Sequence, residues 1–67
     1  MSKQDRHNEL RLTIAEHGPI VGTPADQYSH NIVSITLSII AKEFGRDAAN
    51  EAIEDFDLEA KGWHKIN

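Results

Sequence analysis

Asp26 and His30 stand four positions apart, a spacing at which a helix would set a carboxylate and an imidazole side by side to hold a divalent metal. Such a site needs a third ligand. His7, His17 and His64 have no matching spacing, and the chain has no cysteine to supply sulfur. The pair therefore reads as a surface contact, and neither a metal nor another cofactor is expected. Ser29, Ser34 and Ser38 lie near His30 in sequence and raise the question of a hydroxyl nucleophile with an imidazole base. No nucleophile-elbow pattern surrounds them, and serine every few residues is ordinary filling of an outer helix face. Gly18-Pro19-Ile20-Val21-Gly22 has two glycines but no following lysine and no secure preceding strand, so it reads as a connector and not as a phosphate-binding loop. A domain of this size offers little concave volume, and the chain is expected not to be an enzyme.

The remaining marked residues are acidic. From Glu43 to Glu59 seven acids face one base, Arg46, for a local charge of −6; the rest of the chain has four acids and six bases, or +2, which sums to the net −4. Glu43, Asp47, Glu51 and Glu54 or Asp55 step by three or four residues, the interval that lines side chains along one helix face. Such a row is ordinarily a solvated face opposite a core stripe. Its functional reading is an acidic surface that docks on a basic protein, including one whose nucleic-acid site it could block. Trp63, set among Lys61, His64 and Lys65, reads either as a cap on a small core or as an anchor at an interface.

Helices must position these groups. Thr23-Pro24-Ala25-Asp26 combines an N-cap hydroxyl, a proline at the first helical position and a carboxylate near the helix start, and no breaker follows until Gly45. A helix over 24–44 is predicted. Val33, Ile35, Leu37 and Ile39 also alternate with polar residues as a strand would. At 100° per residue, however, Gln27, Asn31, Ser34, Ser38 and Lys42 fall on one polar stripe, which the helix explains and the strand does not. Two apolar rows remain, Tyr28-Ile32-Ile35-Ile39 and Val33-Leu37-Ile40-Phe44, and two rows ask for two packing partners. Asp47 is the expected N-cap of a helix over 47–57 that buries Ala49, Ala52, Ile53 and Phe56. A first helix over 5–17, with Leu10 and Ile14 inward, ends at Gly18-Pro19. Ile20 and Val21 should plug one end of the core, and Leu58 and Trp63 the other.

The segment Ile40-Ala41-Lys42-Glu43-Phe44-Gly45-Arg46 resembles the start of a DNA-binding helix-turn-helix. That resemblance implies a following helix in the major groove. Here the following helix would bring Asp47, Glu51, Glu54, Asp55 and Asp57 toward a polyanion, which argues against duplex DNA and leaves the motif as a packing analogy.

With 67 residues there is room for one small domain, 1–67, whose core buries only about 60% of the unfolded surface. Without disulfides, a second copy of the chain is the expected source of added stability, so a homodimer is anticipated. The uncharged run from Gln27 to Ala41 is too short and polar to span a bilayer, and the polar first residues are not a signal peptide, so a cytoplasmic location is expected. The expected architecture is an all-α three-helix bundle with a long central helix. The alternative is α+β, with strands near 9–15 and 32–41 and the same last helix. The expected function is a non-enzymatic protein-binding module, an inhibitor or regulator acting through Glu43, Asp47, Glu51, Glu54, Asp55 and Trp63 on a protein with a basic surface. The alternative is a small nucleic-acid-associated regulator with a helix-turn-helix-like core.

Overall fold

The structure, a computed structural model, describes residues 2–67. Helix α1 runs Lys3–His17, two residues longer at its start than its apolar pattern predicts. The added turn follows from Ser2, whose hydroxyl accepts the Asp5 amide at 3.1 Å and so satisfies one free donor of the first turn. Leu10 and Ile14 are buried along its inner side, and Gly18-Pro19-Ile20 continues as a short 3₁₀ turn.

Helix α2 spans Ser29–Phe44, not 24–44. The cap predicted at Thr23 does not form, because its hydroxyl donates to the Ile20 carbonyl at 2.6 Å and closes a turn. Asp26 takes the capping role from outside the helix. Its carboxylate accepts the His30 amide at 3.3 Å and the Gly22 amide at 3.0 Å, so one side chain fastens the connector to the helix start. Proline at 24 thus shapes a loop, and the N-terminal signal in the sequence was real but misplaced by about one turn.

Helix α3 spans Arg46–Asp55. The expected N-cap, Asp47, lies instead within the first turn, and Gly45 joins α2 to α3 with φ 98°, a conformation that side-chain-bearing residues rarely adopt. The helix stops two residues short of the expected 57, and Phe56, expected among its buried residues, is instead its C-cap residue and only half-buried against the core, because the chain turns away from the helix there. A 3₁₀ turn, Leu58–Lys61, follows and stops at Gly62. The described residues contain no strand, so the α+β alternative is not supported.

α1 and α3 each pack on α2. The core between them consists of Leu10, Ile14, Val21, Val33, Leu37, Ile40, Ala49, Ala52, Ile53 and Leu58. Leu58 is fully buried and Trp63 packs against the same cluster, but they do not close the end opposite Val21 as expected. Lys61 donates to the Val21 carbonyl at 3.3 Å and Trp63 stacks on His30 at the start of α2, so both turns gather where α1 and α3 finish, with Val21 buried and Ile20 half-buried. Of the two apolar rows on α2, only Val33-Leu37-Ile40 enters this core, with Phe44 half-buried behind it. Thr36 completes the buried face because its hydroxyl is satisfied by the Ile32 carbonyl one turn back at 2.7 Å. The second row stays largely outside, with only Ile39 packed against the edge of the core. Tyr28 is 70% and Ile35 60% exposed, with Ile32 and Ile39 half-buried beside them. No helix among the described residues is long and apolar enough to cross a membrane.

Candidate functional site

The outward side of α3 carries Asp47, Glu51 and Glu54, all exposed and opposite the buried Ala49, Ala52 and Ile53. The other two acids of the expected row leave it. Glu43 sits at the end of α2 and binds the Arg6 guanidinium through both oxygens, at 3.3 and 3.0 Å. That hydrogen bond from Arg6 holds the Glu43 carboxyl below its ordinary range and keeps the guanidinium more firmly protonated. Asp55 meets Arg11 of α1 at 2.6 Å. The folded molecule is therefore less polarised in charge than its sequence, because α1 brings two of its bases onto the acidic half.

The C-terminal segment lies along the same region. Lys65 stands 3.3 Å from Glu54 and 3.9 Å from Glu59. Asn50, on the flank of α3, uses both ends of its amide: it donates to the Ile66 carbonyl at 2.8 Å and accepts the Ile66 amide at 2.6 Å. Trp63 donates its indole N–H to Ser34 at 3.2 Å and stacks on His30 with ring centres 4.7 Å apart. Trp63 is thus both a partial core cap and the anchor of the tail. Between tail and α2 runs an open groove of about 590 Å³, walled by Leu37, Ser38, Ala41, Ile53, Trp63 and Ile66.

Asp26 and His30 do come together, but through the His30 backbone amide and not its imidazole. The hydrogen bond from Gly22, followed by those from the start of α2, lowers the Asp26 carboxyl below its usual value. Among the described residues no group of three His, Asp or Glu side chains is placed to hold a metal ion. Ser29 pairs with His17, not His30, at 3.2 Å, and with Ser29 only 6% exposed that hydroxyl is closed to a substrate. Ser38 donates to the Ser34 carbonyl at 3.1 Å, which is a helix-face contact.

Asn50 was invisible to sequence reasoning, since a single asparagine within a polar helix face has no signature. The same holds for Arg6 and Arg11, which are 37 and 44 residues from their carboxylates. These features define a small all-α bundle with an acidic outer helix and an open groove. The chain matches no protein-family model, no curated protein and no solved structure.

Proposed function

We propose that the chain is a non-enzymatic protein-binding module that docks a basic partner on the outer face of α3. The observation that supports this most is how the face treats a basic segment already within reach. Lys65 settles between Glu54 and Glu59, and Asn50 holds the main chain next to it. Asp47 and Glu51 extend the same row and have no cation within 4.0 Å among the described residues, so their charge is free for a partner. Exposed charges of this kind act mainly by steering encounter, raising the association rate more than the lifetime of the complex. A regulator or inhibitor that covers a basic site is the biological role this chemistry fits. The nucleic-acid alternative would have to bring the same three carboxylates to a phosphate backbone, which repulsion opposes.

The test uses the full chain and the double variant Asp47→Asn/Glu51→Gln. Tagged wild-type chain recovers its partner from lysate, and association of the purified pair is then followed against ionic strength. The variant is expected to associate several-fold more slowly at low salt, with a flatter salt dependence and little change in dissociation. Equal association rates for both proteins would move the docking surface off α3.

A further inference from the structure

Asn50 holds Ile66 by its main chain, in a way that does not depend on which side chain stands there. Its one amide donates to the Ile66 carbonyl at 2.8 Å and accepts the Ile66 N–H at 2.6 Å. The N–H and C=O of a residue point to the same side in extended backbone, and a neighbouring strand takes up the same two groups. Asn50 thus offers a stretched main chain what the edge of a sheet offers. Flanking groups add selectivity. Lys65, one residue earlier, brings its ammonium to 3.3 Å from Glu54 and 3.9 Å from Glu59, while Ile66 lines the groove with Leu37, Ala41 and Ile53. We propose that this strip of α3 is a binding site for an extended peptide in which lysine precedes an aliphatic residue, and that residues 64–67 occupy it as an internal stand-in which such a peptide displaces.

The attachment of the tail supports displacement. Among the described residues, Trp63 is the last one tied to the body by a bond between main chains, its amide donating to the Leu58 carbonyl at 3.1 Å. Gly62, with φ 111°, supplies the bend before it. Beyond Trp63 no helix or strand forms and no residue belongs to the core, so lifting residues 64–67 uncovers the site and unfolds nothing. A tethered segment competes at an effective concentration on the order of millimolar, which excludes weak basic sequences and yields to a peptide with more contacts. Those contacts are at hand. Asp47 and Glu54 stand three and four residues from Asn50 on the same side of α3, so a longer basic peptide held by Asn50 runs along the acidic row. The proposal rests on the α3 docking surface and adds to it the form of the partner and a segment that regulates access.

Titration of the full chain with acetyl-His-Lys-Ile-Asn, the sequence of residues 64–67, tests it, with nuclear magnetic resonance shifts read at the Asn50 side-chain amide. The full-length variant Lys65→Glu/Ile66→Pro vacates the site, since proline has no amide to donate and glutamate is repelled by Glu54 and Glu59. Its helicity should match wild type because neither residue belongs to the core, and Lys65→Glu alone, the milder change, should shift affinity in the same direction. A site held shut about nine-tenths of the time shows an outside ligand about a tenth of its intrinsic affinity. The opened variant is therefore expected to bind the peptide about tenfold more tightly than wild type. Adding Asn50→Ala to it should abolish that gain, as should glutamate in place of the peptide's lysine. Asp47→Asn/Glu51→Gln should leave the affinity for this short peptide nearly unchanged at physiological salt, so a failure of docking along the acidic row is read separately from a failure here. Equal affinity of wild type and opened variant, or binding indifferent to Asn50→Ala, would overturn the proposal. So would a wild-type dimer that becomes a monomer in the opened variant, which would assign the site to the tail of a second copy.

Discussion

Arg11 of α1 reaches Asp55 at the last residue of α3, with Nη2 and Oδ2 2.6 Å apart and the guanidinium carbon 5.1 Å from the centre of the Phe56 ring. A carboxylate at that end of a helix faces the negative pole of the helix dipole, so Asp55 is poorly placed until Arg11 meets it. Ion pairs at the surface contribute about 0.2–1 kcal/mol. A cation over an aromatic face adds about 0.5–1 kcal/mol at an exposed site. Arg11→Ala loses both and leaves Asp55 against the dipole, whereas Asp55→Ala loses the pair but removes the misplaced charge. Urea denaturation should therefore show the Arg11 variant to be the less stable by roughly 1 kcal/mol. Equal losses would mean that the Phe56 contact is energetically empty.

Acid should weaken the junction between the connector and α2. Asp26 has its carboxyl lowered from 3.8, first by the Gly22 amide. A group whose folded-state value lies below its unfolded one contributes fully above the unfolded value, and that contribution is lost as pH falls through the folded value. Glu43, lowered from 4.5 by Arg6, follows the same sign. Asp26→Ala is expected to lower the melting temperature at pH 7, and the difference from wild type should narrow below pH 3.8 toward zero. A difference that does not change between pH 7 and pH 2 would show that the ionised carboxylate is not what fastens the turn.

Sequence made α2 and α3 legible because each carries an apolar row whose period fits a helix over its full length, whereas in α1 Leu10, Leu12 and Ile14 alternate as a strand would and only the burial of Leu10 and Ile14 with Leu12 exposed decides for a helix. Ala49, Ala52 and Ile53 enter the core as their spacing requires, and so do Leu10 and Ile14. The helix starts were less legible. Ser2 carries no information until it is seen to precede Asp5 by three, and Thr23-Pro24 satisfies the rule for an N-terminus while its hydroxyl finds a nearer carbonyl at Ile20. The acidic row was readable as a pattern on α3 but not as a net field. Which bases arrive on it depends on how α1 and the tail fold back, and neither Arg6 nor Lys65 is marked for that by its neighbours. The groove and Asn50 depend wholly on tertiary contacts.

His7 is the one described residue with a buried side-chain polar atom, Nε2, that has no hydrogen-bond partner, and its ring lies flat on Phe44, centres 4.6 Å apart and planes 15° from parallel. A buried unsatisfied nitrogen costs about 1–3 kcal/mol relative to a satisfied one. Phenylalanine keeps the ring and discards the nitrogen. His7→Phe should raise stability by about 1 kcal/mol. For a chain of this length that is several degrees in melting temperature. A lower melting temperature would indicate that Nε2 is engaged in solution.

Trp63 and Asn50 hold the tail by different means, and the two can be separated. Trp63→Phe keeps most of the apolar cap but loses the indole donor to Ser34, at a cost of about 1 kcal/mol. Asn50→Ala removes both amide contacts to Ile66, which lie at the exposed end of the chain, and should leave the melting temperature almost unchanged. Hydrogen exchange at the Ile66 amide is the sensitive readout, and it should accelerate in the Asn50 variant while α3 amides keep their protection. Loss of protection throughout α3 would mean that the tail contributes to the core rather than lying upon it.

Duplex DNA supplies the last test, because the α2-Gly45-α3 corner carries the resemblance to a helix-turn-helix while its second helix carries the wrong charge. Asp47, Glu51 and Glu54 occupy the outward side of α3, where a recognition helix would present donors to base edges and phosphates. Affinity for DNA comes largely from release of counterions by lysine and arginine at phosphates. Here Arg46 is the only base on α3. Arg6 and Arg11, which could have added to it, are taken up by Glu43 and Asp55. No retention of a random-sequence duplex is expected in a gel shift at about 150 mM salt, an ionic strength that screens charges beyond roughly 8 Å. Binding at that salt with a slope of several ions would show that another surface of the chain meets DNA, since α3 cannot supply the cations that such a slope requires.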